Sequence, residues 1–277
     1  MMDQTLALLR KHGIRLSKRA GQHQVIDPNV LEQMVDYAKL SRDDVVLEIG
    51  AGVGNLTLLL AGRAGKVIAV ERDRRLMRVL GEQLGGHSNV KLLCGDALQI
   101  ELPKFNKIVA NLPYGISSDI TFRLLERKFE LAVLMYQREF AERLVAKPGS
   151  DDYGRLTVNA YYRASVELLG EVPPEAFFPQ PKVTSAIVRL KPREAPFEVS
   201  DEGMFFNVVR ALFQHRRQRV RNALYRSFGE VFPGVKVSKV ERRAVIDQKL
   251  PKWLAETHVM DLAPEKFGMI TNLLISP

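Results

Sequence analysis

Two stretches of this chain have residue types and spacing that can do chemistry: Glu48-Ile49-Gly50-Ala51-Gly52-Val53-Gly54-Asn55 and Asn111-Leu112-Pro113-Tyr114. Glycines between a strand and a helix let the backbone turn sharply and approach a ligand closely. The helix N-terminus beyond adds the positive end of a dipole. Such a turn alone does not name the ligand. Dinucleotide folds space theirs Gly-x-Gly-x-x-Gly, but the sixth position is Asn55 counted from Gly50 and Thr57 counted from Gly52. Neither register fits. The second stretch supplies an amide acceptor in Asn111, a carbonyl on Leu112 held by the restricted backbone of Pro113, and a ring on Tyr114 able to stack on a planar ligand. Taken in isolation, it is equally an ordinary turn after a strand.

What the first stretch does contain is Glu-x-Gly-x-Gly-x-Gly, which resembles the first motif of Rossmann-like S-adenosylmethionine methyltransferases. Two acids agree with it. Glu71 ends the next strand, where a carboxylate can accept from both ribose hydroxyls of the cofactor. Asp96, in Cys94-Gly95-Asp96-Ala97, follows the third strand, where it can accept from the cofactor's adenine amine. Ligands of parallel sheets sit beyond the carboxyl ends of the strands, so these positions converge. Either acid alone is as well explained as a helix N-cap. Asn111-Leu112-Pro113-Tyr114 resembles the Asn/Asp/Ser-Pro-Pro-Tyr/Phe signature of methyltransferases that modify exocyclic amines. The lone pair of an adenine amine is delocalised into the ring and is a poor nucleophile. Acceptors on Asn111 and Leu112 would draw the amine protons and aim the lone pair, while Tyr114 stacks a base taken out of its helix. Positioning and electrostatics then supply most of the acceleration.

Elements must hold these groups in place. Val45–Ile49, Lys66–Glu71, Val90–Cys94, Lys107–Ala110 and Leu131–Gln137 read as short strands, with helical pattern in Leu56–Ala61 and Arg72–Leu84. Alternation of this kind predicts a parallel-dominated sheet covered by helices on both faces. Thr184–Leu190 alternates in period two and is expected to pair antiparallel. Lys191–Pro196 is a proline-flanked polar linker. Beyond it Met204–Leu224 reads as one helix, with Val209, Phe213, Val220 and Leu224 on one stripe, and shorter helices are expected around Val240–Val245 and Pro264–Leu274. The expected architecture is an α/β, Rossmann-like catalytic domain over 1–195 and a small helical domain over 196–277.

The 277 residues are 46% hydrophobic and 26% charged, near the average of globular proteins. No apolar run approaches the ~18 residues of a membrane span, and the N-terminus lacks the pattern of a signal peptide. A single cysteine, Cys94, excludes an internal disulfide framework, and the five histidines have no metal-ligand spacing. A cytoplasmic protein without membrane or metal is therefore expected, and Trp253 reads as packing. The net charge of +9 and pI of 9.6 point to a polyanionic ligand.

Further segments resemble one family, the ribosomal RNA adenine dimethyltransferases that act near the 3′ end of small-subunit rRNA. Gly21-Gln22-His23-Gln24-Val25-Ile26-Asp27 is similar to the family's N-terminal motif, with Gln24-Val25 where the family usually has Phe-Leu. Tyr153-Gly154-Arg155-Leu156 matches a segment before a core helix. Val172-Pro173-Pro174-Glu175-Ala176-Phe177-Phe178-Pro179-Gln180-Pro181-Lys182-Val183 resembles its proline-rich loop. Phe213 through Asn222 resembles the basic helix of its C-terminal domain. The resemblance implies cofactor contacts at His23, Val25, Gly50, Gly52, Glu71, Asp96 and Asn111. It implies catalytic roles for Asn111, Leu112, Pro113 and Tyr114, with Phe177 flanking the target adenine opposite Tyr114. Arg216, Arg217, Arg219 and Arg221 would contact RNA phosphates, along with Arg15, Lys18 and Arg19; alternatively, the arginine stems pack against the protein.

The implied activity is transfer of methyl groups from S-adenosylmethionine to the N6 amines of two adjacent adenosines, by a monomeric enzyme acting on rRNA within a pre-small-subunit particle. Three rivals share parts of this pattern. An antibiotic-resistance enzyme acting on large-subunit rRNA would use the same fold and Asn-x-Pro-Tyr/Phe chemistry. A ribosome-assembly factor could retain the fold without catalysis. A nicotinamide dehydrogenase is disfavoured by the glycine spacing.

Overall fold

The computed structural model describes residues 1–17 and 21–275. Its strands are β1 (Gln24–Val25), β2 (Val45–Ile49), β3 (Lys66–Glu71), β4 (Val90–Cys94), β5 (Lys107–Asn111), β6 (Leu131–Gln137), β7 (Ala164–Val172), β8 (Phe177–Phe178) and β9 (Ser185–Pro192). Seven form one sheet in the order β4-β3-β2-β5-β6-β9-β7. The pairs β4–β3, β3–β2, β2–β5 and β5–β6 are parallel, and β9 runs antiparallel to β6. The central strands are short apolar runs because both sheet faces are covered: Val46, Leu47, Ile108, Val109, Ala110 and Ala132 through Tyr136 are all fully buried. Strand order reverses between β2 and β5, which opens a crevice beyond their carboxyl ends. β1 and β8 pair antiparallel in a separate two-stranded ribbon, Gln24 opposite Phe178 and Val25 opposite Phe177.

Helix Pro28–Ala38 starts on an Asp27 cap that accepts from Asn29 N, with Pro28 in the first turn. It packs with helix Asn55–Arg63 through Val30, Leu31, Met34, Leu56 and Leu60 onto the sheet residues Val46, Val67, Val109 and Val133. Helix Arg74–Gln83 is capped by Asp73.

The chain divides into two compact units, residues 1–141 with 165–192, and 142–164 with 193–277. The crossing at 192/193 lies close to the expected linker, but 142–164 belongs with the second unit. The reason is packing: Tyr153, Val158 and Tyr162 share one core with Phe205, Val208, Phe228, Phe267 and Ile270. The Tyr153 hydroxyl donates to Leu262 O at 2.7 Å. The second unit contains helices Arg155–Arg163, Glu202–Phe213, Val220–Arg226, Lys239–Lys249 and Pro264–Ile275, with shorter ones between them.

The single helix expected over Met204–Leu224 is two. Glu202–Phe213 ends before the basic stretch and Val220–Arg226 resumes after it. A second strand of backbone pulls the intervening residues out of helical geometry: Val259 N bonds to Gln218 O, Met260 N to Arg216 O and Val220 N to Thr257 O. Trp253 is also unlike its expectation. It is 54% exposed, with Lys266 Nζ 5.0 Å from its ring centroid. Among the described residues no helix is long and apolar enough to cross a membrane.

Candidate functional site

A cavity of about 670 Å³ lies in the first unit at the carboxyl ends of β2, β3, β4 and β5. Of the residues singled out from sequence, His23, Gly50, Glu71, Asp96, Asn111, Pro113 and Tyr114 line it. The topology explains the convergence, because β2, β3 and β5 end in register and deliver Gly50, Glu71 and Asn111 to one rim.

The glycine loop leaves β2 with φ of +78° at Gly50 and +61° at Gly52, a region that L side chains rarely adopt. A Cβ at Gly50 would stand 3.2 Å from Pro113 Cδ, so the glycine turn and the Asn-Leu-Pro-Tyr turn are close-packed. A Cβ at Gly52 would collide with the Gln24 amide. Gly52 does not line the cavity. Its N–H donates to Glu71 Oε2 at 2.9 Å, while Asp73 N donates to Glu71 Oε1 at 2.8 Å. The Glu71 carboxylate is thereby aimed by two backbone donors, and each oxygen keeps acceptor capacity.

Asp96 is held more loosely. Its Oδ1 accepts from Leu98 N at 2.9 Å, as a capping residue would, and its Oδ2 lies 3.9 Å from Arg72. One oxygen is thus structural and the other faces a cation.

Asn111 ends β5, and its Nδ2 donates to His23 O at 2.9 Å. That bond fixes which end of the amide is which, since a reversed amide would set oxygen against carbonyl. Oδ1 is left buried and without a partner. A buried acceptor left unmade costs roughly 1–3 kcal/mol. His23 is itself anchored: its Nδ1 lies 2.5 Å from Pro179 O, so that nitrogen carries the proton. Its ring stacks on Tyr114 with centroids 5.6 Å apart. The Tyr114 hydroxyl pairs with Ser185 Oγ at 2.6 Å, and burial pushes its pKa up. The ring is therefore neutral and fixed at both ends.

Beneath the loop, Glu48 is buried at 2% exposure. Burial pushes its carboxyl up to about 8; the Thr57 hydroxyl opposes this and the Glu71 carboxylate reinforces it.

Several expected residues are elsewhere. Leu112 is 1% exposed and does not line the cavity. Val25 is buried in the sheet-and-helix core and is absent from the cavity wall; its carbonyl accepts from Asn55 Nδ2 at 2.9 Å. Phe177 is 2% exposed in that same core and is absent from the cavity wall. Strand alternation is the cause: β8 sends Phe177 inward beside Val25 and Phe178 toward Leu9, Ile14, Val53 and Leu76.

Other lining residues were not singled out from sequence as site residues. Gln24 accepts from Val53 N at 3.1 Å, filling the space above Gly52. Gln22 donates to Asp73 Oδ2 at 2.9 Å, tying the N-terminal motif to the helix cap beyond Glu71. Asp73 is held well below the usual carboxylate range, chiefly by its hydrogen bond from Arg75. Gln137, Lys182 and Arg72 complete the polar wall. Gln22 and Gln24 were visible beforehand in the N-terminal motif and Lys182 in the proline-rich loop, whereas Arg72 and Gln137 carried no such signal.

In the second unit the four arginines split. Arg216 donates to Asp151 O at 2.7 Å and Ser150 O at 3.1 Å. Arg219 caps helix Val220–Arg226 and pairs with Glu256. Arg221 pairs with Asp247 at 2.9 Å and with Glu256. Arg217 is exposed. Of the N-terminal basic residues, Lys18 and Arg19 lie outside the described residues.

A mostly parallel sheet with this strand order, an acid at the end of β3 and a glycine loop after β2 defines a Rossmann-like methyltransferase. Crystal structures agree. A dimethyladenosine transferase from Plasmodium falciparum superposes with TM-score 0.74 at 32% identity, over 88% of this chain and 94% of that one. The 23S rRNA methyltransferase ErmE gives 0.65 at 30% identity, over 91% and 99%. Residues 13–257 match the family described as ribosomal RNA adenine dimethylase. The chain belongs to that family. Among its relatives are proteins named probable ribosomal RNA small subunit methyltransferase A. That of Methanopyrus kandleri is 48% identical over 274 residues, covering 98% of this chain and 97% of the relative. That of Methanosarcina mazei is 44% identical over 268 residues, covering 97% and 96%.

Proposed function

We propose that this protein transfers methyl groups from S-adenosylmethionine to the N6 amines of two adjacent adenosines near the 3′ end of small-subunit rRNA, yielding N6,N6-dimethyladenosine during ribosome biogenesis. The observation that carries the chemistry is the Asn111 amide. Its nitrogen is spent on His23 O and its oxygen is buried without a partner at the cavity. An acceptor held ready in this way matches an amine donor, and a substrate N–H would satisfy it. The target assignment draws on relatives named for the small subunit and on the stronger similarity to a dimethyladenosine transferase than to the 23S enzyme.

The residues fit the cofactor. Glu71 presents two oriented oxygens suited to a pair of ribose hydroxyls, and Asp96 Oδ2 is placed to accept from an adenine amine. The glycine turn leaves no side chain between Gly50 and Pro113. When bound, S-adenosylmethionine supplies an electrophilic methyl group. Asn111 Oδ1 would accept one amine proton and turn the nitrogen lone pair out of conjugation. Tyr114, fixed by Ser185 and His23, would hold the base by stacking. The site needs no strong base, because the methylated amine loses its proton readily to water. The substrate is proposed to be rRNA within a pre-small-subunit particle, the enzyme a cytoplasmic monomer, and the first and second units its catalytic and RNA-holding portions.

The test is transfer of labelled methyl to isolated, undermethylated small ribosomal subunits, mapped by position, with Asn111→Ala and large subunits as controls. Dimethyladenosine near the small-subunit 3′ end, lost in the variant, is expected. Label confined to large subunits would overturn the target.

A further inference from the structure

The charge of this chain is unevenly spread. Residues 216–243 contain nine lysines and arginines against two acids, Glu230 and Glu241, so this segment carries +7 of the chain's +9. Both acids are engaged locally. Glu241 accepts from Ser238 N at 2.6 Å in a helix cap, and Glu230 accepts from Gln214 Nε2 at 3.0 Å.

Six of the nine cations fall into two sets. Arg216, Arg219 and Arg221, three of the four expected RNA contacts, are bound to backbone carbonyls or carboxylates of the same unit. Arg226, Lys239 and Arg243 are exposed and have no carboxylate partner among the described residues. These three line one groove of about 680 Å³, together with Gln218, Asn222, Tyr225 and Val240. Helix periodicity builds it: Asn222 and Arg226 stand one turn apart on helix Val220–Arg226, and Lys239 and Arg243 one turn apart on helix Lys239–Lys249. Tyr225 is half-buried in the wall, whereas Val240 is 81% exposed, an unusual position for a large apolar side chain.

Unpaired like charges facing one groove repel one another, and among the described residues no carboxylate pairs with them. An anionic strand would. We propose that this groove is a seat for an RNA strand, with Arg226, Lys239 and Arg243 contacting successive phosphates, Gln218 and Asn222 donating to phosphate or ribose oxygens, and Val240 lying against a sugar or base edge. It rests on the rRNA reading above and adds a second set of phosphate contacts, in the neighbouring groove, to the exposed Arg217. Such contacts position RNA without reading its sequence.

The experiment measures anisotropy of a labelled single-stranded RNA of about 20 nucleotides against the full-length protein across a salt series. Three phosphate contacts at ~0.7 each predict that R226Q/K239Q/R243Q lowers the slope of log K against log salt by about 2. At roughly 0.1 M salt its affinity should fall on the order of 10–100-fold. R226K/K239R/R243K, which keeps the charges, should restore the slope. K91Q/K104Q/K128Q removes three exposed lysines of the first unit and should move it by less than ~0.5. Methyl transfer to small subunits is measured in parallel: KM for the subunits should rise about tenfold in the triple-glutamine variant, with kcat at saturation kept. An unchanged slope and KM in that variant, with wild type still methylating small subunits, would overturn the groove. An equal loss in the control lysine variant would do so too. Absence of methylation by wild type would instead sink the functional reading, whatever the slope.

Discussion

Asn111 Nδ2 donates to the main-chain oxygen of His23 at 2.9 Å across 88 positions of sequence, and this one bond decides which end of the amide is left for substrate. The N-terminal motif therefore serves the catalytic turn directly, by holding it in one orientation. Removing the amide should cost more than removing an ordinary hydrogen bond. Asn111→Ala is expected to lower kcat on the order of 10²–10³-fold, the range for losing one positioned group at a reacting centre. KM for the RNA should change less than about threefold. A loss confined to KM would mean that Asn111 binds substrate without orienting the amine.

Gly52 and Gln24 form a second such pair. With φ of +61° and the Gln24 amide where a Cβ would stand, Gly52→Ala faces both backbone strain, about 1–3 kcal/mol, and a collision. The two can be separated. Gln24→Ala combined with Gly52→Ala should recover at least ~0.5 kcal/mol of the single variant's stability loss, read as a coupling energy in urea unfolding. Strict additivity would show that Gln24 simply moves aside.

The burial of Glu48 predicts how stability responds to pH. Its carboxyl is raised from an ordinary 4.5 to about 8, so between those values the folded chain keeps a proton that the unfolded chain has released. Unfolding free energy should accordingly fall as pH rises from about 4.5 through about 8, by at most ~1.4 kcal/mol per pH unit. Glu48→Gln, isosteric with the protonated acid, should flatten the profile over that window. A wild-type profile that is already flat there would mean that the carboxyl is ionised and solvated in ways the fold does not suggest.

Arg221 and Arg217 should respond in opposite assays. Arg221 bridges Asp247 and Glu256 with its side chain 24% exposed, so Arg221→Ala strands Asp247, leaves Glu256 to Arg219 alone, and is expected to cost roughly 1–2 kcal/mol. Arg217 is exposed, and its alanine variant should unfold within ~0.5 kcal/mol of wild type while weakening RNA binding. Equal melting temperatures for the two variants would argue against the bridge.

Much of the site was readable before the fold because its residues lie at the ends of neighbouring strands of the sheet. A strand end is a place where type and position are both constrained, and Gly50, Glu71 and Asn111 fall there. The parallel core strands were legible as short apolar runs. β7 was not: only its end residues are buried and it lies at the sheet edge, so no period marks it. The break between Phe213 and Val220 was hidden as well, because it is imposed by backbone bonds from Thr257, Val259 and Met260, some 40 positions away. Periodicity reports local repetition, and nothing local forbids a helix there. The attachment of 142–164 to the second unit is a long-range fact of the same kind.

Phe177 tests where local alternation outweighs resemblance to the family. The family pattern places it beside the target base, whereas β8 turns it into the core against Val25 and the sheet-covering helices. As a core residue, Phe177→Ala should destabilise by about 3–5 kcal/mol and Phe177→Leu by much less. The leucine variant should then methylate small subunits with kcat close to wild type, since nothing aromatic has been taken from the cavity wall. A stably folded Phe177→Leu protein with kcat reduced tenfold or more would show instead that the ring swings out to meet the base. In that case β8 would have to part from β1 during catalysis, and exchange of its amide protons should quicken in the presence of RNA.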